Sequence, residues 1–219
     1  MKQNINVISN MGKEVDATIS ESENGVQIVI DRPQEKVCLA DLKQYTYFFD
    51  SDGEAYIVCE QFKNGTTAVL KADILENNMK FGQNNNWAES EIREYLNNEY
   101  LKELERKFGE ENMVEHKVDL LSMDGFDDYG YTMDKVAIRT FDEYRKYSMG
   151  VYSMGISLIK SEWLATPTQT PSRNCSDSDY VVFVFSDGDV DWDWCDYYKG
   201  VRPFFFLKSS IFVFLEKRI

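Results

Sequence analysis

Apolar and polar residues alternate with a period of two at the start of the chain. Ile5-Asn6-Val7-Ile8 and Val26-Gln27-Ile28-Val29-Ile30 both carry it, which predicts two strands. A turn falls within residues 21–25, and Asp31-Arg32-Pro33 ends the second run. Residues 1–35 therefore read as a small N-terminal β unit or attachment arm, and residues 36–219 as the main domain. Further strands follow at Tyr45-Thr46-Tyr47-Phe48-Phe49, Ala55-Tyr56-Ile57-Val58-Cys59 and Thr67-Ala68-Val69-Leu70. Asp52-Gly53 and Asn64-Gly65 separate them, and such pairs between apolar runs are strong hairpin signals.

The period then changes. Trp87, Ile92, Leu96, Tyr100, Leu101 and Leu104 recur at helical spacing and predict a helix over 86–108 with one apolar stripe. Gly109 stands where a C-terminal cap belongs, and Asn97-Asn98 is a candidate break. Residues 110–135 are acidic and contain glycine, and read as a long loop. Thr140-Phe141-Asp142-Glu143 is a capping box that opens a second helix running to about Met149.

The last quarter is the most patterned. Trp163-Leu164-Ala165-Thr166-Pro167 leads to a polar loop, a hairpin over 180–194, then Gly200-Val201-Arg202-Pro203 and a final strand from Phe204 to Leu207. A three-residue loop Ser186-Asp187-Gly188 sets Val184 opposite Val190 and Phe183 opposite Asp191. One hairpin face is then Val182, Val184, Val190, Trp192 and Trp194, expected to be core. The other is Val181, Phe183, Phe185, Asp189, Asp191 and Asp193, expected to be exposed. A two-residue Asp187-Gly188 turn would instead place Phe183, Phe185, Val190, Trp192 and Trp194 together in the core, since one residue of slip inverts every side chain.

Charge narrows the classes of function. Across 219 residues the net charge is −14 and the pI about 4.6. Without a basic patch, nucleic acid and anionic membrane are poor partners. No apolar run is long enough to span a bilayer and no signal-peptide pattern opens the chain, so a cytoplasmic or virion-associated location is expected. With 13 Tyr and 14 Phe, the chain is rich in residues suited to strands and to contact surfaces.

Catalytic chemistry is sparse. Cys38, Cys59, Cys175 and Cys195 are widely spaced, give no zinc signature and read as free thiols. Whether Cys175 and Cys195 meet is open. The one histidine, His116, lies in a polar stretch, is expected at the surface and cannot alone build a multi-histidine metal site. No Gly-x-Ser-x-Gly elbow, Gly-x-Gly-x-x-Gly or phosphate loop occurs. Asp187, Asp189, Asp191 and Asp193 have calcium-like spacing, but Trp192 and Tyr198 stand where an EF-hand needs Gly and Glu. No cofactor and no metal site is expected. Arg202 reads as a structural arginine pairing with a buried carboxylate.

Four motifs in order carry a resemblance. Trp87-Ala88-Glu89-Ser90-Glu91-Ile92-Arg93-Glu94-Tyr95-Leu96-Asn97, Arg139-Thr140-Phe141-Asp142-Glu143-Tyr144, Trp163-Leu164-Ala165-Thr166-Pro167 with Ser186-Asp187-Gly188-x-Val190, and Gly200-Val201-Arg202-Pro203 resemble an uncharacterised domain family of gut-bacterial and phage proteins over about residues 37–213. That family is similar to the C-type-lectin fold in its formylglycine-generating-enzyme-like branch, which includes the variable proteins of diversity-generating retroelements. The resemblance implies an α+β, C-type-lectin-like fold with two helices and antiparallel sheets. It also implies a C-terminal face whose residues are diversified through codons of the N-N-pyrimidine type. Phe183, Phe185, Asp189, Asp191, Asp193, Asp196, Tyr197 and Tyr198 are encodable that way; Trp192 and Trp194 are not. The enzyme branch uses paired cysteines or metal-holding histidines, which this chain does not offer.

The expected function is a non-enzymatic module that presents those eight residues to a protein or glycan ligand, with aromatics supplying contact area and carboxylates specificity. The alternative is a structural or assembly protein of a phage-like particle, with residues 1–35 making an oligomer or particle contact.

Overall fold

The computed structural model describes residues 36–154, 160–173 and 178–216, together with the backbone of three strands before them. The described residues fall into two compact units, Met1–Lys36 and Val37–Ile219. The smaller is an antiparallel meander of β1 (Asn4–Ile8), β2 (Glu14–Ser22) and β3 (Gly25–Asp31), paired in that order. The middle strand was not among the predicted ones, although Val15, Ala17 and Ile19 alternate with polar neighbours.

Strands dominate the larger unit. Its first half holds β4 (Lys36–Cys38), β5 (Tyr47–Phe49), β6 (Ala55–Gln61), β7 (Thr66–Lys71) and β8 (Met79–Lys80). After the first helical segment come β9 (Met113–Val114), β10 (His116–Asp119), β11 (Tyr131–Asp134) and β12 (Val136–Ala137). After the second come β13 (Glu162–Pro167), β14 (Tyr180–Val184), β15 (Val190–Trp194), β16 (Tyr198–Lys199), β17 (Phe204–Lys208) and β18 (Phe212–Phe214). The main sheet runs β12-β17-β7-β6-β5-β18-β4, with β9 also on β17. With its two helical segments the unit is α+β and largely antiparallel.

Both faces of the main sheet are covered, which explains why its strands read as nearly unbroken apolar runs. Tyr56, Val58, Val69 and Phe205 point to a core shared with Ile92, Leu96, Tyr100 and Leu104 of the first helical segment. Ile57, Leu70 and Phe204, one residue out of phase, point to Tyr147 and Val151 of the second. Each such large apolar side chain contributes about 1.5–3 kcal/mol on burial.

The first helical segment is α1 (Glu91–Tyr95), a π-helical turn Leu96–Tyr100 and α2 (Leu101–Phe108). Asn97-Asn98 therefore widens the helix and does not break it. The Asn97 side chain donates to the carbonyls of Arg93 (3.1 Å) and Val136 (2.8 Å), joining the widened turn to β12. The second segment, α3 (Phe141–Ser153), starts as the capping box requires: Thr140 Oγ1 accepts from Glu143 N at 3.2 Å, and Glu143 Oε2 accepts from Thr140 N at 2.8 Å. Gly150 sits inside α3, where glycine ordinarily costs helix stability. A Cβ there would lie 2.0 Å from the Tyr45 ring, so the close packing of Tyr45 requires it.

Residues 110–135 are not a long loop. Met113–Val114 joins the main sheet, and β10 pairs with β11 in a separate hairpin. His116, Val118 and Leu120 are buried while Lys117 and Asp119 are exposed, a two-residue period hidden by reading His116 as polar. His116 is not a surface residue. It is 7% exposed, stacked on Phe206 with centroids 4.5 Å apart, and meets Phe204 edge-on at 5.9 Å. Burial lowers its pKa to about 4, because the charged ring would lose its hydration.

Candidate functional site

The predicted hairpin register is the observed one. Tyr180 lies opposite Trp194, Val182 opposite Trp192, Phe183 opposite Asp191 and Val184 opposite Val190. The turn is closed by Phe185 N to Asp189 O (2.8 Å) and Gly188 N to Phe185 O (3.0 Å). Gly188 has φ +95°, and a Cβ on it would lie 2.8 Å from the Tyr152 hydroxyl. From α3, Tyr144 donates to the Gly188 carbonyl at 2.9 Å and Tyr152 to the Asp187 carbonyl, which fixes the turn to the domain. Gly188→Ala is expected to lower stability by about 1–2 kcal/mol through the left-handed backbone alone. Urea unfolding checks this, and an unchanged midpoint would show that the turn relaxes freely.

The expected division of the hairpin into a core face and an exposed face is wrong. Burial follows the strand and not the face. β14 is the central strand of the sheet β13-β14-β15 and is covered on both sides. Val181 and Phe183 enter the main core, where Phe183 meets Trp163 edge-on at 6.2 Å. Val182 and Val184 pack with Leu164 and Tyr144. Phe183 is thus 3% exposed and is no part of an outer surface, while Trp192 (53%) and Trp194 (43%) are exposed and not core. They belong to β15, an edge strand with no strand paired on its outer side among the described residues.

The edge strand presents two chemistries. On one side Tyr180 lies between the two indoles, with centroids 4.7 Å from Trp192 and 4.4 Å from Trp194. Such pairs favour an ordered aromatic ledge over loose rotamers. On the other side lie Asp189, Asp191 and Asp193, with Phe185 against Phe183 at 4.6 Å. Asp191 Oδ1 accepts from Trp192 N and Asp193 Oδ1 from Trp194 N, each at 2.9 Å. These carboxylates engage amides of the edge strand and set negative charge along it, which discourages pairing with another strand. Asp193 is also held by Lys199 Nζ at 2.7 Å, and Lys199 stands 3.7 Å from the Phe183 ring centroid. Beyond the strand, Asp196, Tyr197 and Tyr198 are exposed, and Tyr198 pairs with Lys80 through β16 and β8.

Of the eight predicted site residues, Phe185, Asp189, Asp191, Asp196, Tyr197 and Tyr198 are exposed, Asp193 is half-buried and Phe183 is interior. Trp192 and Trp194, which sequence reasoning put in the core, complete the outer surface. The signal that could have found them is Asp-Trp-Asp-Trp itself, because an interior strand would not set a carboxylate at every second position.

The other motifs build an interior ion cluster. Glu162 is 1% exposed and pairs with both Arg139 and Arg202, themselves 2% and 3% exposed. Burial pushes the Glu162 carboxyl up, but the two guanidinium groups outweigh it and hold it below its ordinary range. Arg202 also donates to the Ala72 carbonyl, and the Arg139 guanidinium lies 5.0 Å from the Tyr144 ring centroid. Main-chain bonds reinforce the convergence: Ala165 N to Arg139 O (2.9 Å) and Trp163 N to Gly200 O (3.1 Å). A second buried carboxylate, Asp134, accepts from Trp87 Nε1 (2.9 Å), Arg93 Nε (2.8 Å) and Thr132 Oγ1 (2.6 Å). The conspicuous motif residues are therefore scaffold, and of the hairpin only the edge strand β15 and the turn are surface.

A family model described as a domain of unknown function (DUF6273) matches residues 64–209, about two thirds of the chain. The chain belongs to this DUF6273 family. Its matched span holds Asp134, the Arg139–Glu162–Arg202 cluster and the whole hairpin. No curated protein and no solved structure matches the chain.

Cys38, Cys59 and Cys195 are free thiols, and Cys175 lies outside the described residues, as does any contact it makes with Cys195. Burial pushes the Cys59 thiol up to about 12. Among the described residues no three His, Cys, Asp or Glu are grouped to hold a metal, and no helix is long and apolar enough to cross a membrane.

Proposed function

We propose that this DUF6273 domain is a non-enzymatic ligand-binding module whose C-terminal hairpin contacts a protein or glycan. The observation that carries the reading is the pair of exposed indoles, Trp192 and Trp194, on an edge strand whose turn is anchored by α3, with the half-buried Tyr180 of β14 packed against both. Contiguous exposed aromatics are unusual on a free surface and supply concentrated binding energy. Phe185, Tyr197 and Tyr198 extend the aromatic area, and Asp189, Asp191 and Asp196 supply acceptors for hydroxyl, amide or cationic groups.

The α+β architecture, with its largely antiparallel sheets and two helical segments, is compatible with a C-type-lectin-like fold related to the retroelement variable proteins and carried by phage or prophage. In the diversified form of this reading, Asp189, Asp191, Asp196, Tyr197 and Tyr198 vary around Trp192 and Trp194, which that mutagenesis cannot write. Sequencing the 3′ end of the gene across its population should then show changes at those five codons with both Trp codons fixed. Even scatter along the gene would remove diversification and leave a fixed-specificity binder.

The binding reading is tested on a glycan array and a protein-capture screen. With the ligand so found, Trp192→Ala and Trp194→Ala should each lower affinity about 10-fold or more. Phe183→Ala should lower stability by about 3–5 kcal/mol, since it empties a core position. Equal affinity of both Trp variants and the parent would end the reading. The compact unit Met1–Lys36 favours a second reading, an assembly protein attached through residues 1–35. Its test is loss of assembly when those residues are deleted.

A further inference from the structure

The outer edge of β15 offers acceptors where an open edge would offer donors as well. Phe185 N donates to Asp189 O and Cys195 N to Asp179 O. By the alternation of an antiparallel pair, Asp191 and Asp193 are then bonded to β14, while Val190, Trp192 and Trp194 turn their amides and carbonyls outward. The outward amides of Trp192 and Trp194 are taken by the carboxylates of Asp191 and Asp193. A strand added to this edge needs main-chain donors in its ladder, and the two indole-bearing residues have none to give. Facing out at Trp192 are its own carbonyl and the second carboxylate oxygen of Asp191, both acceptors without a partner among the described residues.

The charge around this edge has one sign. From residue 174 to residue 198 the chain holds seven Asp and no Lys, Arg or His. Asp187, Asp189, Asp191 and Asp196 are exposed and make no ion pair with any described residue. Asp193 differs, because Lys199 Nζ reaches it at 2.7 Å and lies 3.7 Å from the Phe183 ring centroid. The domain thus seats one cation of its own between a carboxylate and an aromatic ring beside this strand. Asp191 and Trp192 repeat the carboxylate and the ring at the exposed edge, with no cation of the chain between them.

We infer that the β15 edge takes arginine side chains of a basic protein partner. The inference rests on the reading of the hairpin as a binding surface and names the chemistry of what it binds. A guanidinium group is planar, weakly hydrated and donor-only, so it stacks on an indole while its fork meets carboxylate and carbonyl oxygens. Tryptophan is the best ring for such a charge. Trp192 and Trp194 stand two strand residues apart, about 7 Å. Arginines at alternate positions of an extended segment have the same spacing. A neutral glycan makes no use of the charge, and an anionic one is repelled by it.

The test titrates the full chain with two short peptides, one of alternating arginine and glycine and one with citrulline for arginine. Citrulline keeps the shape and N–H donors and lacks the charge. Binding is read from the indole N–H signals by NMR. Trp87 and Trp163 serve as internal references, since their indoles are buried and bonded to Asp134 and to the Met79 carbonyl. The arginine peptide should move the Trp192 and Trp194 signals and leave the other two in place. It should bind about 5-fold or more tightly than the citrulline peptide, as charge-assisted hydrogen bonds exceed neutral ones. Asp189→Asn with Asp191→Asn keeps an oxygen for Trp192 N and should weaken the arginine peptide about 5- to 10-fold. Asp41→Asn with Asp73→Asn removes the same charge from exposed positions outside the hairpin and should change nothing. Equal loss in the two double variants, equal affinity for the two peptides, or unmoved Trp192 and Trp194 signals each overturn the inference. Chitohexaose, titrated in parallel, separates this failure from that of the hairpin reading. Indole shifts with the sugar and none with the arginine peptide end the basic partner and keep the binding surface, which stands or falls on its own array and capture screen.

Discussion

Glu162→Gln is expected to destabilise the larger unit by about 3–5 kcal/mol, the usual effect of removing one partner from a buried ion cluster. The carboxylate sits between two arginines that are almost fully enclosed. A neutral amide keeps the shape but leaves two guanidinium charges without a counterion in a medium that hydrates them poorly. Urea unfolding followed by tryptophan fluorescence measures the loss, and a change below about 1 kcal/mol would mean that water reaches the cluster. The all-apolar replacement Arg139→Met, Glu162→Leu, Arg202→Met, often neutral for such clusters, should not rescue this one. Arg202 satisfies the Ala72 carbonyl as well, and methionine would orphan it. The pH dependence follows from the same pairing. The Glu162 carboxyl is held below its unfolded pKa, so its stabilisation is present above that pKa and is lost as pH falls through the folded one.

The second large effect is acid sensitivity at His116. Its folded pKa of about 4 lies below the ordinary 6.5, so the unfolded chain binds the extra proton between those values. Stability from this group is complete above pH 6.5 and falls as pH drops towards 4. The interval corresponds to about 3 kcal/mol at about 1.4 kcal/mol per pKa unit. His116→Phe places a third aromatic ring beside Phe204 and Phe206 and removes the titration. The variant should match the parent within about 1.5 kcal/mol at pH 7, as conservative core exchanges do. It should exceed the parent by roughly 3 kcal/mol at pH 4. Unfolding midpoints for both proteins across this range decide it. Parallel curves would show that the ring escapes its aromatic contacts when protonated. Other groups cancel in the comparison, including Glu143, whose raised pKa works in the opposite sense.

Local patterns along the chain determined a good deal of this protein. Thr140 and Glu143 fixed the start of α3, because a capping box is complete within four residues. Ser186-Asp187-Gly188 narrowed the hairpin to two registers, and the favoured three-residue loop with Gly188 in the left-handed region is the one observed. The apolar runs of β6, β7 and β17 marked strands, and the structure shows why they do not alternate: both faces of their sheet are covered. What only the tertiary structure decided is where each strand lies within its sheet. Phe183 and Trp192 are both aromatic and both suit a strand, yet one is buried and the other exposed, since β14 has neighbours on both sides and β15 on one. Strand order is set by contacts between segments distant in sequence, and no local period encodes it. The same holds for Glu162, whose two arginine partners lie 23 and 40 residues away, and for His116, which sequence polarity placed at the surface and two phenylalanines of β17 enclose.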